Sequence, residues 1–229
     1  MKTTIAVFFG GRSTEHEISV ISANQAINAI DRDKYNVVPI YISKEGAWYT
    51  GDCLLDLQRY RNLPQLLKES EAVYMRPIYG DYNLYYSQPK GLFGKKNVAA
   101  KIDVVLPVLH GANGEDGTFE GILDSIGIPY AGCDTLASAN GMDKITMKMI
   151  LRADGIPVVD YVWFTDRQWF SEKTTLTDKI ESELGYPVIV KPANLGSSIG
   201  IGCAHNREEL HRAVEDAARY ASRILVEHM

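Results

Sequence analysis

The stretch PVIVKPANLGSSIGIG, residues 187–202, combines a strand-forming run with a loop of small residues. Residues 188–190 are β-branched, which is typical of a strand in the interior of a sheet. Lys191 follows that run, and we expect the strand to end there because Pro192 cannot donate to a ladder. The loop at 196–200 offers backbone N–H groups and two serine hydroxyls with little bulk. A lysine beside such a loop can hold a phosphate, although the stretch alone also fits an ordinary hairpin with a solvated lysine.

Composition and charge narrow the class of protein. A chain of 229 residues has room for one large or two small domains, and its 45% hydrophobic and 23% charged residues are those of a globular protein. The net charge of −5 argues against a nucleic-acid partner. Cys53, Cys133 and Cys203 are far apart, which predicts a reduced, cytosolic setting with neither a disulfide framework nor a zinc site. The apolar run at 5–9 is too short for a signal sequence or a membrane span, so a cytoplasmic protein without a membrane partner is expected.

Strands and helices alternate along most of the chain, which predicts an α/β fold with an open parallel sheet and helices on both faces. Between 43 and 99 the periodicity is broken, and only a short hairpin around 79–87 is predicted. The other predicted strands are at 4–9, 35–42, 103–109, 156–164 and 223–227. A helix is predicted after residue 13, with Thr14 and Glu17 at capping-box spacing. Further helices are predicted to end at Gly127, Ala153 and Gly185, and a last helix follows Asn206.

Two glycine-rich loops follow predicted strands, where ligands gather in open α/β sheets. They are GGRSTEHEIS at 10–19 and HGANGEDGTFEG at 110–121, and neither matches the GxGxxG or P-loop spacing. Glu15 lies near a helix start, where a carboxylate is either a simple helix-end acid or a ligand-binding group. His110 fits a packing histidine as well as a ligand-facing one.

Two further charged residues are candidates in the second half of the chain. Lys144 opens a predicted helix, and a lysine there is electrostatically unfavourable unless an anion is bound nearby. Glu227 ends the last predicted strand, where a carboxylate can accept from a ligand amine or be merely exposed. Neither residue decides the function alone.

Four motifs in order, GGRSTEHEIS, HGANGEDGT, Met142-Asp143-Lys144 and VIVKPANLGSSIGIG, resemble those of the D-alanine–D-alanine ligase family of the ATP-grasp superfamily. The resemblance covers the chain except 43–99. It implies an N-terminal substrate-binding domain at 1–133 with an open parallel, Rossmann-like (pre-ATP-grasp) sheet. It further implies that 134–229 form the α+β first lobe of an ATP-grasp domain.

The resemblance implies roles for individual residues toward ATP. Lys144 and Lys191 would contact the phosphates, Ser197 and Ser198 would lie on the loop that closes over them, and Glu227 would reach the adenine.

Toward the amino acid, the resemblance implies that Glu15 binds the ammonium group of the first D-alanine together with Ser197, which makes both catalytic residues. His110 would lie near the carboxylate of that substrate. Glu120 stands where the family usually has glutamine, and we expect this change to alter a contact on the helix surface.

The resemblance implies that two D-alanines are joined in an ATP-dependent reaction that passes through an acyl phosphate. The dipeptide product would be used for peptidoglycan, and the enzyme would be a homodimer. The chain ends at Met229 on a predicted strand, so an inactive N-terminal portion is expected, with the Mg²⁺ ligands in a following lobe. Two alternatives stay open: a ligase that uses D-lactate or D-serine as acceptor, and a non-catalytic ligand-binding module derived from the ligase.

Overall fold

The computed structural model describes residues 2–91 and 96–229, apart from the side chain of Lys96. The chain divides into two compact units, Met1–Ser138 and Ala139–Met229. They are called unit 1 and unit 2 below, and each is described by itself.

The described strands of unit 1 form one seven-stranded sheet. They are β1 Thr3–Gly10, β2 Tyr35–Ile42, β3 Trp48–Thr50, β4 Glu71–Met75, β5 Asn83–Lys90, β6 Lys96–Lys101 and β7 Val104–Leu109. The helices are α1 His16–Ala29, α2 Leu63–Glu69 and α3 Thr118–Ile126, with short 3-10 helices at Asp52–Leu55 and Leu57–Asn62; α4 Thr135–Met142 crosses the boundary between the units.

The sheet order β6-β5-β4-β3-β2-β1-β7 has a parallel part, in which β1 pairs with β2 on one side and β7 on the other. Successive residues of β1 point to opposite faces. Ala6 and Phe8 pack in a core with α3, whereas Val7 and Phe9 pack in a core with α1. The predicted α/β architecture with helices on both faces is therefore confirmed.

The segment at 43–99 supplies the antiparallel part of the sheet, which the sequence did not predict. Strands β3, β4 and β5 each pair antiparallel with the next, and β6 completes the edge. The hairpin expected around 79–87 is displaced, because its strands are β4 and β5 and the connection between them is at 76–82. Part of this segment, 92–95, lies outside the described residues.

Unit 2 is built on a four-stranded antiparallel sheet of order β10-β9-β11-β8. Its elements are α5 Lys144–Ala153, β8 Tyr161–Thr165, α6 Asp166–Glu183, β9 Val188–Pro192, β10 Gly202–Ala204, α7 Arg207–Ala217 and β11 Arg223–His228. The strand predicted at 156–164 begins later, at Tyr161. Strand β9 continues one residue beyond Lys191, because Pro192 is still paired with Ile224.

Residue alternation on β11 sorts its side chains between two cores. Ile224 and Val226 pack with α6 and α7, whereas Leu225 packs with Ile145 of α5 on the other face. Glu227 follows at period two and therefore faces α5 as well. Strand β11 thus directs the Glu227 carboxylate toward α5, the helix that begins at Lys144.

Candidate active site

In unit 1, the loops after β1 and β7 meet at the carboxyl edge of the parallel strands. The Asn113 side chain donates to the Arg12 carbonyl at 3.1 Å. A Cβ atom added at Gly111, whose φ is +71°, would lie 2.2 Å from Oε2 of Glu15. The Glu15 carboxylate therefore packs directly against the Gly111 backbone, and only a glycine leaves room for it.

Glu15 is half-buried at the start of α1, where it is the N-cap residue with no side-chain cap hydrogen bond. The capping box expected from Thr14 and Glu17 is therefore wrong, because the helix begins at His16. The Nδ1 atom of His16 donates to the Gly11 carbonyl at 2.7 Å. The glycine turn and the helix start are thus bonded to each other, which positions the Glu15 backbone.

His110 follows β7 at the same edge of the sheet as Glu15. Its Nε2 atom lies 3.1 Å from Oγ of Ser22 on α1. Ser19, on the same helix, donates to the Val108 carbonyl at 2.5 Å and accepts from the Gly10 N–H at 2.8 Å. The fold therefore brings Glu15 and His110, the two candidates of this unit, to one edge.

Glu120 on α3 is buried, with 6% of its surface exposed, so the expected helix-surface contact is wrong. Its Oε2 atom has no hydrogen-bond partner among the described residues. Burial, followed by the charges of Asp116 and Asp124, raises the pKa of this carboxyl. The helix turns Glu120 inward beside Phe119 and Leu123 of the core.

In unit 2, Lys144 is the first residue of α5 and bends back toward the chain that follows β9. Its Nζ atom donates to the Leu195 carbonyl at 2.5 Å, and its backbone N–H donates to the Ala193 carbonyl at 2.9 Å. Burial, and then the charge of Lys191, lowers the pKa of Lys144. Two lysines are therefore held close enough to repel each other, an arrangement that favours a bound anion.

Glu227 is buried beside these lysines, and each of its carboxylate oxygens has its own cation. Oε1 pairs with Lys191, and Oε2 lies 2.9 Å from Nζ of Lys148. Burial by itself raises the pKa of Glu227, but the hydrogen bonds from Lys148 and Lys191 outweigh it and hold the pKa below its usual range. The adenine contact stays a prediction, and both carboxylate oxygens are engaged by lysines.

Sequence reasoning missed Lys148. A signal was present, since Lys148 stands four residues after Lys144 and therefore shares a face of α5 with it. Lys148 is 8% exposed, donates to the Val159 carbonyl at 3.2 Å and lies 5.3 Å from the centre of the Tyr161 ring. It is one of the few buried charges of the described residues, and its partners are all in unit 2.

The loop after β9 carries the two predicted serines in a strained backbone. Ser197 and Ser198 are exposed and have φ values of 50° and 60°, in the left-handed region that residues other than glycine rarely adopt. Gly200 has a φ of 68° and leaves less than 3 Å between an added Cβ and both Pro192 and Tyr220. Strained loops of this kind are concentrated at ligand-binding sites.

Residues 2–91 and 96–229 contain neither a metal-binding cluster nor a membrane-spanning helix. Within those ranges, no three His, Cys, Asp or Glu side chains are grouped so that they could hold a metal ion. The residues present therefore do not fit a Mg²⁺ site. None of the described helices is long and apolar enough to cross a membrane.

The sequence matches two family models. Residues 4–133 match the model of the D-ala D-ala ligase N-terminus, and residues 150–229 match that of the D-ala D-ala ligase C-terminus. The chain belongs to the D-alanine–D-alanine ligase family.

Curated relatives and solved structures agree with this assignment. D-alanine–D-alanine ligases of Heliobacterium modesticaldum and Thermosipho melanesiensis are 42% and 40% identical, over 99% and 97% of this chain. The D-alanine–D-alanine ligase of Coxiella burnetii superposes with a TM-score of 0.85 at 32% identity, and the VanG D-Ala:D-Ser ligase of Enterococcus faecalis with 0.84 at 33%, each over 100% of this chain. The chain spans 60% and 58% of the two curated relatives and 64% and 63% of the two solved chains.

Proposed function

We propose that the protein containing this chain joins two D-alanine molecules in a reaction driven by ATP. The observation that carries the proposal is the charge cluster of unit 2. Lys144 and Lys191 lie beside the strained loop at 196–200, and a third lysine pairs with the nearby Glu227. Three cations against one carboxylate leave an excess of positive charge, which suits a polyphosphate.

The nucleotide supplies the phosphoryl group that converts the first D-alanine carboxylate into an acyl phosphate. Lys144 and Lys191 bind the phosphates and offset the negative charge that develops during the transfer. The loop that carries Ser197 and Ser198 closes over them and excludes water, which protects the acyl phosphate from hydrolysis. The amine of the second D-alanine then attacks, and phosphate leaves.

Unit 1 contributes the amino-acid site in this proposal. Glu15 binds the ammonium group of the first D-alanine, since a half-buried carboxylate at a fixed backbone position suits a cation. His110 binds near the carboxylate of that substrate. The product is the D-alanyl-D-alanine of peptidoglycan.

The proposal extends to organisation and setting. Residues 1–133 form the substrate-binding domain and residues 134–229 the first lobe of an ATP-grasp domain. The protein acts as a homodimer in the cytoplasm, where ATP is available. Mg²⁺ accompanies the nucleotide, and the described residues offer it no ligand set.

The test is turnover by the complete gene product with ATP, D-alanine and Mg²⁺. We expect ADP release that depends on D-alanine and a dipeptide of two D-alanines identified by mass spectrometry. D-Serine and D-lactate are added as competing acceptors, and a product containing either one in preference to D-alanine would replace the proposed acceptor. ADP release without any D-alanine-containing product would overturn the proposal.

A matched pair of lysine variants connects the reaction to the charge cluster. Lys191→Met removes a proposed phosphate ligand and should raise the KM for ATP at least tenfold. Lys179→Met removes an exposed lysine of α6, which pairs with Glu183 at 4.0 Å, and should leave the KM unchanged. Equal effects of the two variants would contradict the site.

A further inference from the structure

Lys148 is fixed by contacts that direct it to a carboxylate. Its Nζ atom lies 2.9 Å from Oε2 of Glu227 and 3.2 Å from the Val159 carbonyl, and it stands over the Tyr161 ring. Its side chain is about nine-tenths buried, as is that of Glu227. A buried cation requires a paired and hydrogen-bonded partner of this kind, because an uncompensated buried charge is costly.

Glu227 is shared between two lysines of different exposure. Its other oxygen pairs with Lys191, whose side chain is 22% exposed, compared with 10% for Lys148. Lys191 is diagonal to Glu227 on the same sheet face, since Lys191 is paired with Leu225 and Glu227 lies two residues further along β11. Lys191 is thus the lysine able to turn toward a ligand, while Lys148 stays with the carboxylate.

An anion that binds Lys191 must compete with Glu227 for it. Lys148 weakens this competition because it neutralises the carboxylate from the other side. Without Lys148, the site of Lys144, Lys191 and Glu227 would carry one net positive charge instead of two. Its anion affinity would fall about tenfold or more, as expected for a unit charge at short range in a partly buried site.

We propose that Lys148 is a positioning residue of the nucleotide site, which holds the Glu227 carboxylate so that Lys191 is available to a bound phosphate. This inference rests on the proposed function, because it takes ATP as the ligand of Lys191. Lys148 itself makes no contact with the nucleotide. It acts on affinity by offsetting the charge of the Glu227 carboxylate and by holding that carboxylate in place.

The experiment measures ATP affinity and the KM for ATP and D-alanine in the complete gene product. Lys148→Met keeps the length of the side chain and removes its charge, so ATP should bind about tenfold or more weakly, while the KM for D-alanine stays within twofold. Lys148→Arg should restore most of the affinity. Lys179→Met is the matched control on the surface of the same unit and should bind ATP as the wild type does.

The double variant Lys148→Met/Glu227→Gln separates positioning from a merely structural role. Removal of the carboxylate together with its counter-ion leaves Lys191 uncompeted, so the double variant should bind ATP more tightly than Lys148→Met alone. The single variant Glu227→Gln completes the comparison: once the carboxylate is gone, the change Lys148→Met should cost little ATP affinity. An equal loss from Lys148→Met with and without the carboxylate would overturn the inference. Thermal unfolding of each variant checks that it is folded at the assay temperature, and Lys148→Arg provides the comparison if Lys148→Met is unfolded.

The two proposals fail in different ways. Wild-type protein that makes the dipeptide, with unchanged ATP affinity in folded Lys148→Met, overturns the positioning role and leaves the function standing. Wild-type protein that binds no ATP overturns the function and this inference together. Reduced affinity in Lys148→Met that is recovered in the double variant supports both.

Discussion

The Nζ atom of Lys148 lies 2.9 Å from Oε2 of Glu227, and each side chain is only 10% exposed. Removal of one partner from a buried ion pair leaves the other charge uncompensated and costs roughly 3 kcal/mol or more. In Glu227→Gln, both Lys148 and Lys191 lose their carboxylate. We therefore expect a loss of about 3 kcal/mol in the free energy of unfolding at pH 7, measured by urea denaturation. Glu183→Gln, at an exposed pair, should cost less than about 0.5 kcal/mol.

The effect of Glu227→Gln should depend on pH. Because the folded-state pKa of Glu227 lies below its ordinary value of 4.5, the ionised carboxylate stabilises the fold above about pH 4.5. That contribution is lost as the pH falls through the folded-state pKa. The difference in unfolding free energy between wild type and Glu227→Gln should therefore narrow toward acid pH. A difference that stays constant from pH 7 to pH 3 would contradict the paired carboxylate.

Glu120 should show the opposite dependence on pH. Its folded-state pKa lies above 4.5 because of burial, so its protonated form fits the fold and stability declines as the pH rises from about 4.5 through the folded-state pKa. Glu120→Gln keeps the size and removes the charge. It should raise the unfolding free energy at pH 8, where the wild-type carboxyl must be ionised or held protonated at a cost in the folded chain.

The gain in unfolding free energy that Glu120→Gln gives over the wild type should be smallest at pH 4.5, and the gain at pH 8 is compared with it. Glu208→Gln, at an 84% exposed side chain of α7, provides the control and should not change with pH in this way. Denaturation curves at several pH values check both variants. A gain for Glu120→Gln that is equal at all pH values would show that the buried carboxyl is not the cause.

The sequence predicted the elements whose pattern of apolar residues is clear. Residues 188–190 and 224–226 are continuous apolar runs, and both are central strands of unit 2. The segment at 43–99 could not be predicted because its first strand, Trp48–Thr50, has three residues and lies too close to turns for a period to show. Antiparallel strands of this length are stabilised by contacts with cross-strand neighbours. The local sequence does not show which residues these neighbours are.

The candidate site was predicted in part for a similar reason. Lys144, Lys191 and Glu227 stand at element ends, where polar residues are conspicuous in a sequence. Glu120 was expected at a helix surface and Lys148, inside a helix, was not singled out, because charged side chains are usually exposed. Their burial depends on what packs against the helix, which only the folded chain shows.

Gly111 should control the position of Glu15. A Cβ atom there would lie 2.2 Å from Oε2 of Glu15, and the carboxylate is the flexible end that would move. Gly111→Ala should therefore fold and raise the KM for D-alanine about tenfold, the loss expected when a charge-assisted hydrogen bond is displaced. Gly80→Ala is the matched control, since Gly80 has a φ of +83° with nothing within 4 Å of an added Cβ. An equal rise in the KM for the two variants would contradict the placement of Glu15.

Gly200 should control the conformation of the loop at 196–200 through its close packing against neighbouring residues. Its φ of +68° resembles the +76° of Gly155, so alanine at either position carries a similar backbone penalty of roughly 1 kcal/mol. An added Cβ at Gly200 would also approach Tyr220 at 2.8 Å and Pro192 at 2.9 Å, whereas nothing lies within 4 Å of an added Cβ at Gly155. Since Pro192 adjoins Lys191, relief of that contact shifts the loop and the proposed phosphate ligand together.

Gly200→Ala should therefore weaken ATP binding severalfold in calorimetric titrations of the complete gene product. Gly155→Ala should lower stability alone, and a similar loss of ATP affinity in both variants would show that the contacts of Gly200 do not shape the site.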